Sequence, residues 1–119
     1  TGTIVERDEQ WHLARVQCDD AAFWVRDGGH PIGHSVRIRI LARDVSIACT
    51  QSTDSSILNV LPVEVAEIGT EPHPAQAMVK LGIGATSVLA RVTCRSVESL
   101  GLIPGLRVFA QIKAVALIA

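Results

Sequence analysis

The chain has 119 residues, 48% of them apolar, with a net charge of −1 and an aromatic content of only 3%. That size fits one domain, or two very small ones packed closely together. The near-neutral charge supplies no field to attract a polyanion, and Trp11, Phe23, Trp24 and Phe109 are too few to stack a row of bases, which argues against nucleic acid as a partner.

The apolar content is dominated by Val, Ile, Leu and Ala, a composition suited to strands in a barrel or sandwich. Residues 3–7, 11–18 and 21–26 read as three strands, followed by a turn at Asp27-Gly28-Gly29-His30-Pro31. Val36-Arg37-Ile38-Arg39-Ile40 alternates strictly, so Arg37 and Arg39 fall on a wet face, and residues 42–48 continue as a second extended piece. Residues 49–54 form a polar connector and the candidate boundary between an N-terminal β segment, 1–50, and a second unit, 51–119. Residues 63–68 alternate again, and residues 76–81 and 87–93 pair around a turn at Gly82-Ile83-Gly84. Thr93 to Gly101 carries the one convincing helix, with Thr93 as N-cap and Gly101 as the stop. Leu106 to Ala119 closes the chain as a last strand pair. Short strands with one short helix before the last of them predict an all-β, OB-like Greek-key barrel.

An internal echo runs through the chain. When Gly33 is placed on Gly105, Val36 meets Val108, Ile40 meets Ile112 and Ala42 meets Ala114, while Leu41 stands where the second copy has Lys113. Either a shared plan or the resemblance of any two alternating strands produces such a match.

Cys18, Cys49 and Cys94 are odd in number and share no disulfide or metal spacing, and the four histidines are equally scattered. No apolar run approaches the length of a membrane span, and no signal-peptide pattern opens the chain. Thr1 opens it without an initiator methionine, so a piece of a longer protein is expected. No GxxxxGK[ST], GxSxG or HExxH is present, and no catalytic constellation emerges. An oxyanion site asks for something else, namely donors. Ser55-Ser56-Ile57-Leu58 offers hydroxyls and N–H groups before a strand, Thr93 and Ser96 stand at a helix start, and Lys113 is one of only two lysines. Each also has a plainer account: a turn at Ser55 and Ser56, simple capping by Thr93, and a lysine reaching past a barrel rim.

Ser55-Ser56-Ile57-Leu58-Asn59-Val60-Leu61-Pro62, Leu89-Ala90-Arg91-Val92-Thr93-Cys94-Arg95-Ser96, Leu100-Gly101-Leu102-Ile103-Pro104-Gly105 and Phe109-Ala110-Gln111-Ile112-Lys113-Ala114-Val115 together resemble the Mop, or TOBE, domain. Residues 36–46 look like the segment just upstream of that domain in the ATPase subunit of the bacterial molybdate ABC importer. The resemblance implies a C-terminal regulatory domain, a strand-exchanged homodimer, and molybdate or tungstate held at the subunit interface. The anion would touch N–H groups and hydroxyls around Ser55, Ser56, Ile57 and Leu58, the hydroxyls of Thr93 and Ser96, and the Lys113 ammonium. Many members carry Arg where this chain has Leu58, which removes a guanidinium contact and leaves a backbone one. The resemblance further implies an ATPase domain in the same chain, membrane subunits of the importer as partners, no ATP site in this piece, no insertion into the bilayer, and a cytoplasmic place at the inner face of the membrane.

Overall fold

The computed structural model describes residues 1–118; Ala119, the end of the predicted last strand pair, lies outside them. The N-terminal part builds a four-stranded antiparallel sheet from β1 (Gly2–Asp8), β2 (Leu13–Cys18), β3 (Ala21–Arg26) and β4 (Ser35–Val36), in the order β3-β2-β1-β4. After β5 (Ile38–Arg39) and a single 3-10 turn at Ala42–Asp44 comes β6 (Val45–Ala48). A five-stranded sheet then forms from β6, β7 (Asn59–Thr70), β8 (Gln76–Ile83), β9 (Thr86–Thr93) and β10 (Arg107–Ile112), in the order β6-β10-β7-β8-β9. Helix α1 (Cys94–Leu100) bridges β9 and β10, and β11 (Ala116–Leu117) pairs with β5. In each half three hairpin-linked strands are followed by a fourth that returns beside the first, which is the Greek-key order.

The predicted class holds: the chain is mainly β with one helix, and that helix begins and ends on the residues its sequence indicates. Thr93 has extended backbone and accepts the Ser96 N–H at 3.0 Å, while Gly101 is left-handed (φ 64°, ψ 38°) and sends its N–H back to Glu98 and Val97. Several boundaries move. The strand expected from Val36 to Ile40 is broken at Arg37, because Val36 pairs with β1 while Ile38 and Arg39 pair with β11. Residues 42–44 are helical rather than extended. β2 starts at Leu13, since His12 turns the chain with a positive φ of 57°. β7 is far longer than residues 63–68, and Pro62 lies inside it, opposite Phe109. Pro62 is tolerated there because β8 first joins β7 at Glu64, so the missing N–H costs no ladder bond on that side. The β8–β9 turn is Gly84-Ala85, with φ 57° at Gly84.

The echo in the sequence has a counterpart in backbone geometry. Gly33 and Gly105 have φ of 92° and 93°, and no atom crowds a Cβ added at either, so it is the left-handed backbone that calls for glycine. The Gly33 N–H donates to Ile4 O at 2.7 Å, as Gly105 N–H does to Val65 O at 2.7 Å. Ile4 N–H returns to His34 O at 3.0 Å, and Val65 N–H to Leu106 O at 2.9 Å. The first and second strands of each half slip register at the same place, between Ile4 and Glu6 and between Val65 and Glu67.

The halves also exchange strands. β6, which follows the fourth strand of the first half, pairs with β10, and β11, which follows the fourth strand of the second, pairs with β5. Ala21 and Phe23 of the N-terminal sheet are buried within the cluster of Val45, Val65, Val79, Leu81, Val88, Ala90, Val108 and Ile112. A second cluster gathers Ile4, Ala14, Val16, Val25 and Val36. Where the second half has α1, the first has only the turn at Asp27, whose carboxylate accepts the Gly29 N–H at 2.8 Å and the Arg7 guanidinium at 3.0 Å. Among the described residues no helix is long and apolar enough to cross a membrane.

Two measurements check this account. Phe23→Ala should destabilise by roughly 3–5 kcal/mol in urea unfolding, with one transition reporting both halves; separate transitions would show that the exchanged strands do not couple them. The Gly29 N–H first, then the Arg7 guanidinium, hold Asp27 below its ordinary carboxyl value of 3.8. A depressed value means stability that is present above 3.8 and is lost as pH falls through the lower folded value, so Asp27→Ala should be less stable than the parent at neutral pH and converge with it in acid.

Candidate functional site

Residues 49–58 carry the chain from β6 to the start of β7. Within them Ser55 Oγ accepts the Ile57 N–H at 3.1 Å, the hydroxyl-closed turn that serine favours. Leu58 O accepts the Val60 N–H at 3.1 Å. Among the described residues the N–H groups of Ser56 and Leu58 donate to no protein acceptor, and Ser55 and Ser56 are exposed. Leu58 keeps 62% of its surface exposed, so its side chain adds nothing to the core.

Asn59, the first residue of β7, is opposite Ile112 of β10. Leu58 precedes the one and Lys113 follows the other, so strand register sets Lys113 beside Leu58 at one end of the sheet. The Lys113 N–H is committed to Asp44 O at 2.8 Å on the opposite flank, and only its side chain is left to meet a ligand. That side chain is exposed and forms no ion pair among the described residues. Its charge therefore stays in water rather than in an internal pair.

Thr93 and Ser96 stand elsewhere. Thr93 is paired with Gln76, and Ala77 with Thr70, at the far end of the 12-residue β7. About 36 Å of strand, at 3.3 Å per residue, separates the two ends along β7. Thr93 Oγ1 donates to Ser96 Oγ at 2.8 Å while accepting the Ser96 N–H, which joins the two hydroxyls as a unit. The structure thus brings Ser55, Ser56, Ile57, Leu58 and Lys113 to one end and leaves Thr93 and Ser96 at the other. A concavity of about 670 Å³ lined by Pro62, Glu64, Gly82 and Arg107, and one of about 420 Å³ beside α1 lined by Ile68, Cys94 and Glu98, include none of these candidates.

The stretch from Ser55 to Pro62 also offers an amide as a possible anion donor, that of Asn59, and the structure turns it inward instead. Asn59 is buried, with 8% exposure, and its carboxamide meets the backbone of Trp24 in β3: Trp24 N–H donates to Asn59 Oδ1 at 2.7 Å and Asn59 Nδ2 donates to Trp24 O at 2.9 Å. The available signal was an Asn heading an apolar run, where strand propensity disfavours it. The three cysteines are free and apart, and burial pushes the Cys18 thiol above its ordinary value, which keeps it protonated at neutral pH.

The TOBE domain family model matches residues 55–119. The chain is 45% identical over 114 residues to the molybdenum import ATP-binding protein ModC of Methylococcus capsulatus, covering 96% of this chain and 32% of that protein. It is 47% identical over 115 residues to the ModC of Thiobacillus denitrificans, covering 97% and 32%. The chain therefore spans about a third of the length of these curated relatives. A crystal structure of the cytoplasmic molybdate-binding protein ModG with molybdate bound superposes with a TM-score of 0.76 at 28% identity, covering 98% of this chain and 91% of that one. With its family pattern lying on the second Greek key and its OB-like fold shared from end to end with ModG, the chain belongs to the TOBE domain family.

Proposed function

We propose that this chain is the regulatory, oxyanion-binding part of a molybdate importer's ATP-binding subunit, with residues 51–119 as the Mop unit and residues 1–50 as a partial OB-like unit packed on it. The observation that carries this reading is the end-to-end match to a protein whose structure holds molybdate, in a chain whose higher identity is to import ATPases. In this reading the ligand is molybdate or tungstate, bound by the free N–H groups and hydroxyls of the Ser55–Leu58 turn, the Thr93 and Ser96 hydroxyls, and the Lys113 ammonium. Because one chain sets the two groups of donors at opposite ends of β7, a complete set takes one group from each of two copies, and the working unit is a homodimer. An anion that binds the paired arrangement better than the unpaired one shifts the equilibrium by that difference in affinity, which is the physical content of feedback on import. Catalysis then belongs to an ATPase domain outside these residues, at the inner face of the membrane beside the importer's membrane subunits.

A second reading has its own support. The chain covers 91% of ModG, so a separate cytoplasmic molybdate-binding protein could be built on this unit alone. The encoded sequence ahead of Thr1 separates the two: a P-loop ATPase domain there fits the importer, and its absence fits the binding protein.

Thermal unfolding with millimolar molybdate, tungstate, sulfate and phosphate tests the site itself. At 100 times its dissociation constant a ligand adds about 2.7 kcal/mol, a rise of several degrees in a domain this small. Molybdate and tungstate should give that rise, sulfate and phosphate should not, and Lys113→Ala should abolish it without lowering the ligand-free midpoint by more than a degree or so. No rise with any anion in a dimeric sample would leave a purely structural dimerisation module as the better account.

A further inference from the structure

β3 is an edge strand: Trp24 faces Arg15 of β2 on one side, and on the other its N–H and C=O would be open. The Asn59 carboxamide closes that opening by offering one acceptor and one donor, at 2.7 and 2.9 Å, as a single residue of a neighbouring strand would. Its position in the chain matters as much as its bonds. Asn59 directly follows Leu58, is opposite Ile112, and so lies one residue from each arm of the proposed anion site. Among the described residues, the Ser55–Leu58 turn holds one hydrogen bond within itself, from Ile57 to Ser55, and is tied to β7 by the Val60 N–H on Leu58 O. The direction of the free Ser56 and Leu58 N–H groups is therefore set by where Asn59 is pinned, and it is pinned to the other half of the molecule.

We propose that Asn59 is the positioning residue of the anion site, and that through its carboxamide the site and β3 of the N-terminal sheet are energetically coupled. This rests on the oxyanion reading above. The Asn59 side chain touches no anion itself; it holds the donors in place. Anything that orders the Ser55–Leu58 turn also holds Asn59 on Trp24, and by reciprocity loss of the Trp24 contact loosens the turn.

The test uses the full 119-residue chain, with sodium molybdate as the probe, calorimetric titration for affinity and amide hydrogen exchange for the Trp24 N–H. In the parent, molybdate should bind and slow Trp24 exchange by about threefold or more. Asn59→Leu, which keeps the bulk and removes both bonds, should bind molybdate about tenfold more weakly. Val25→Ala supplies the control, since it thins the core beside Trp24 and leaves both bonds intact; it should lower stability and keep the parent affinity. If Asn59→Leu does not fold, the exchange measurement on the parent decides alone. Parent binding with unchanged Trp24 exchange, or equal affinity losses in Asn59→Leu and Val25→Ala, overturns the positioning role and leaves the anion site standing. No molybdate binding by the parent brings down both readings.

Discussion

The architecture depends on a reciprocal debt between its halves: the segment that follows each Greek key pairs with the far side of the molecule, β6 lying on β10 and β11 on β5. A fourth strand with one neighbour is an open edge, which invites pairing with another chain. Exchange within the chain closes the outer edge of β10 and gives β5 a partner in β11, and Phe23, on the N-terminal sheet, lies in the core of the five-stranded one. Neither half holds a full complement of strands without the other. The two small units that length alone allows are in this way made into one body.

Much of this was legible in the residues, and the failures have physical causes. Gly33 and Gly105 stood out as equivalent because a left-handed backbone position is written in sequence almost only as glycine, and their φ angles agree to within a degree. Thr93 and Gly101 marked the helix ends for a similar reason, since capping is local chemistry between residues a turn apart. Strand ends are not local. Whether Arg37 interrupts a strand depends on β1 and β11, tens of residues away in either direction, and whether Pro62 can lie inside β7 depends on where β8 begins. Alternation gave the faces correctly, with Val36 buried and Arg37 and Arg39 exposed, and said nothing of partners.

The candidate site divides along the same line. Residues near each other in sequence, Ser55 to Leu58, do form one hydrogen-bonded turn, and the register of β7 against β10 brings Lys113 to its side. That Thr93 and Ser96 lie at the other end of β7 could not be read from spacing, because a hairpin's length fixes the distance between its ends only once its partners are known. The Asn59 contact to Trp24 was equally invisible, joining residues 35 apart in sequence through a side chain that imitates backbone.

Leu58 gives this arrangement its particular balance. A guanidinium at that position would bring charge and a fixed fork of donors, tolerant of small errors in the backbone beneath it. With leucine there, exposed and apolar, Lys113 is the one cation among the proposed contacts, and the remaining donors are N–H groups and hydroxyls. The strength of such donors falls steeply with misdirection, and they cannot swing to correct it as a long side chain can. In the proposed site the burden of recognition would therefore pass from charge to backbone placement. On the proposed reading, a buried carboxamide that fixes the residue after Leu58 would be worth more to this chain than to one with arginine at that position.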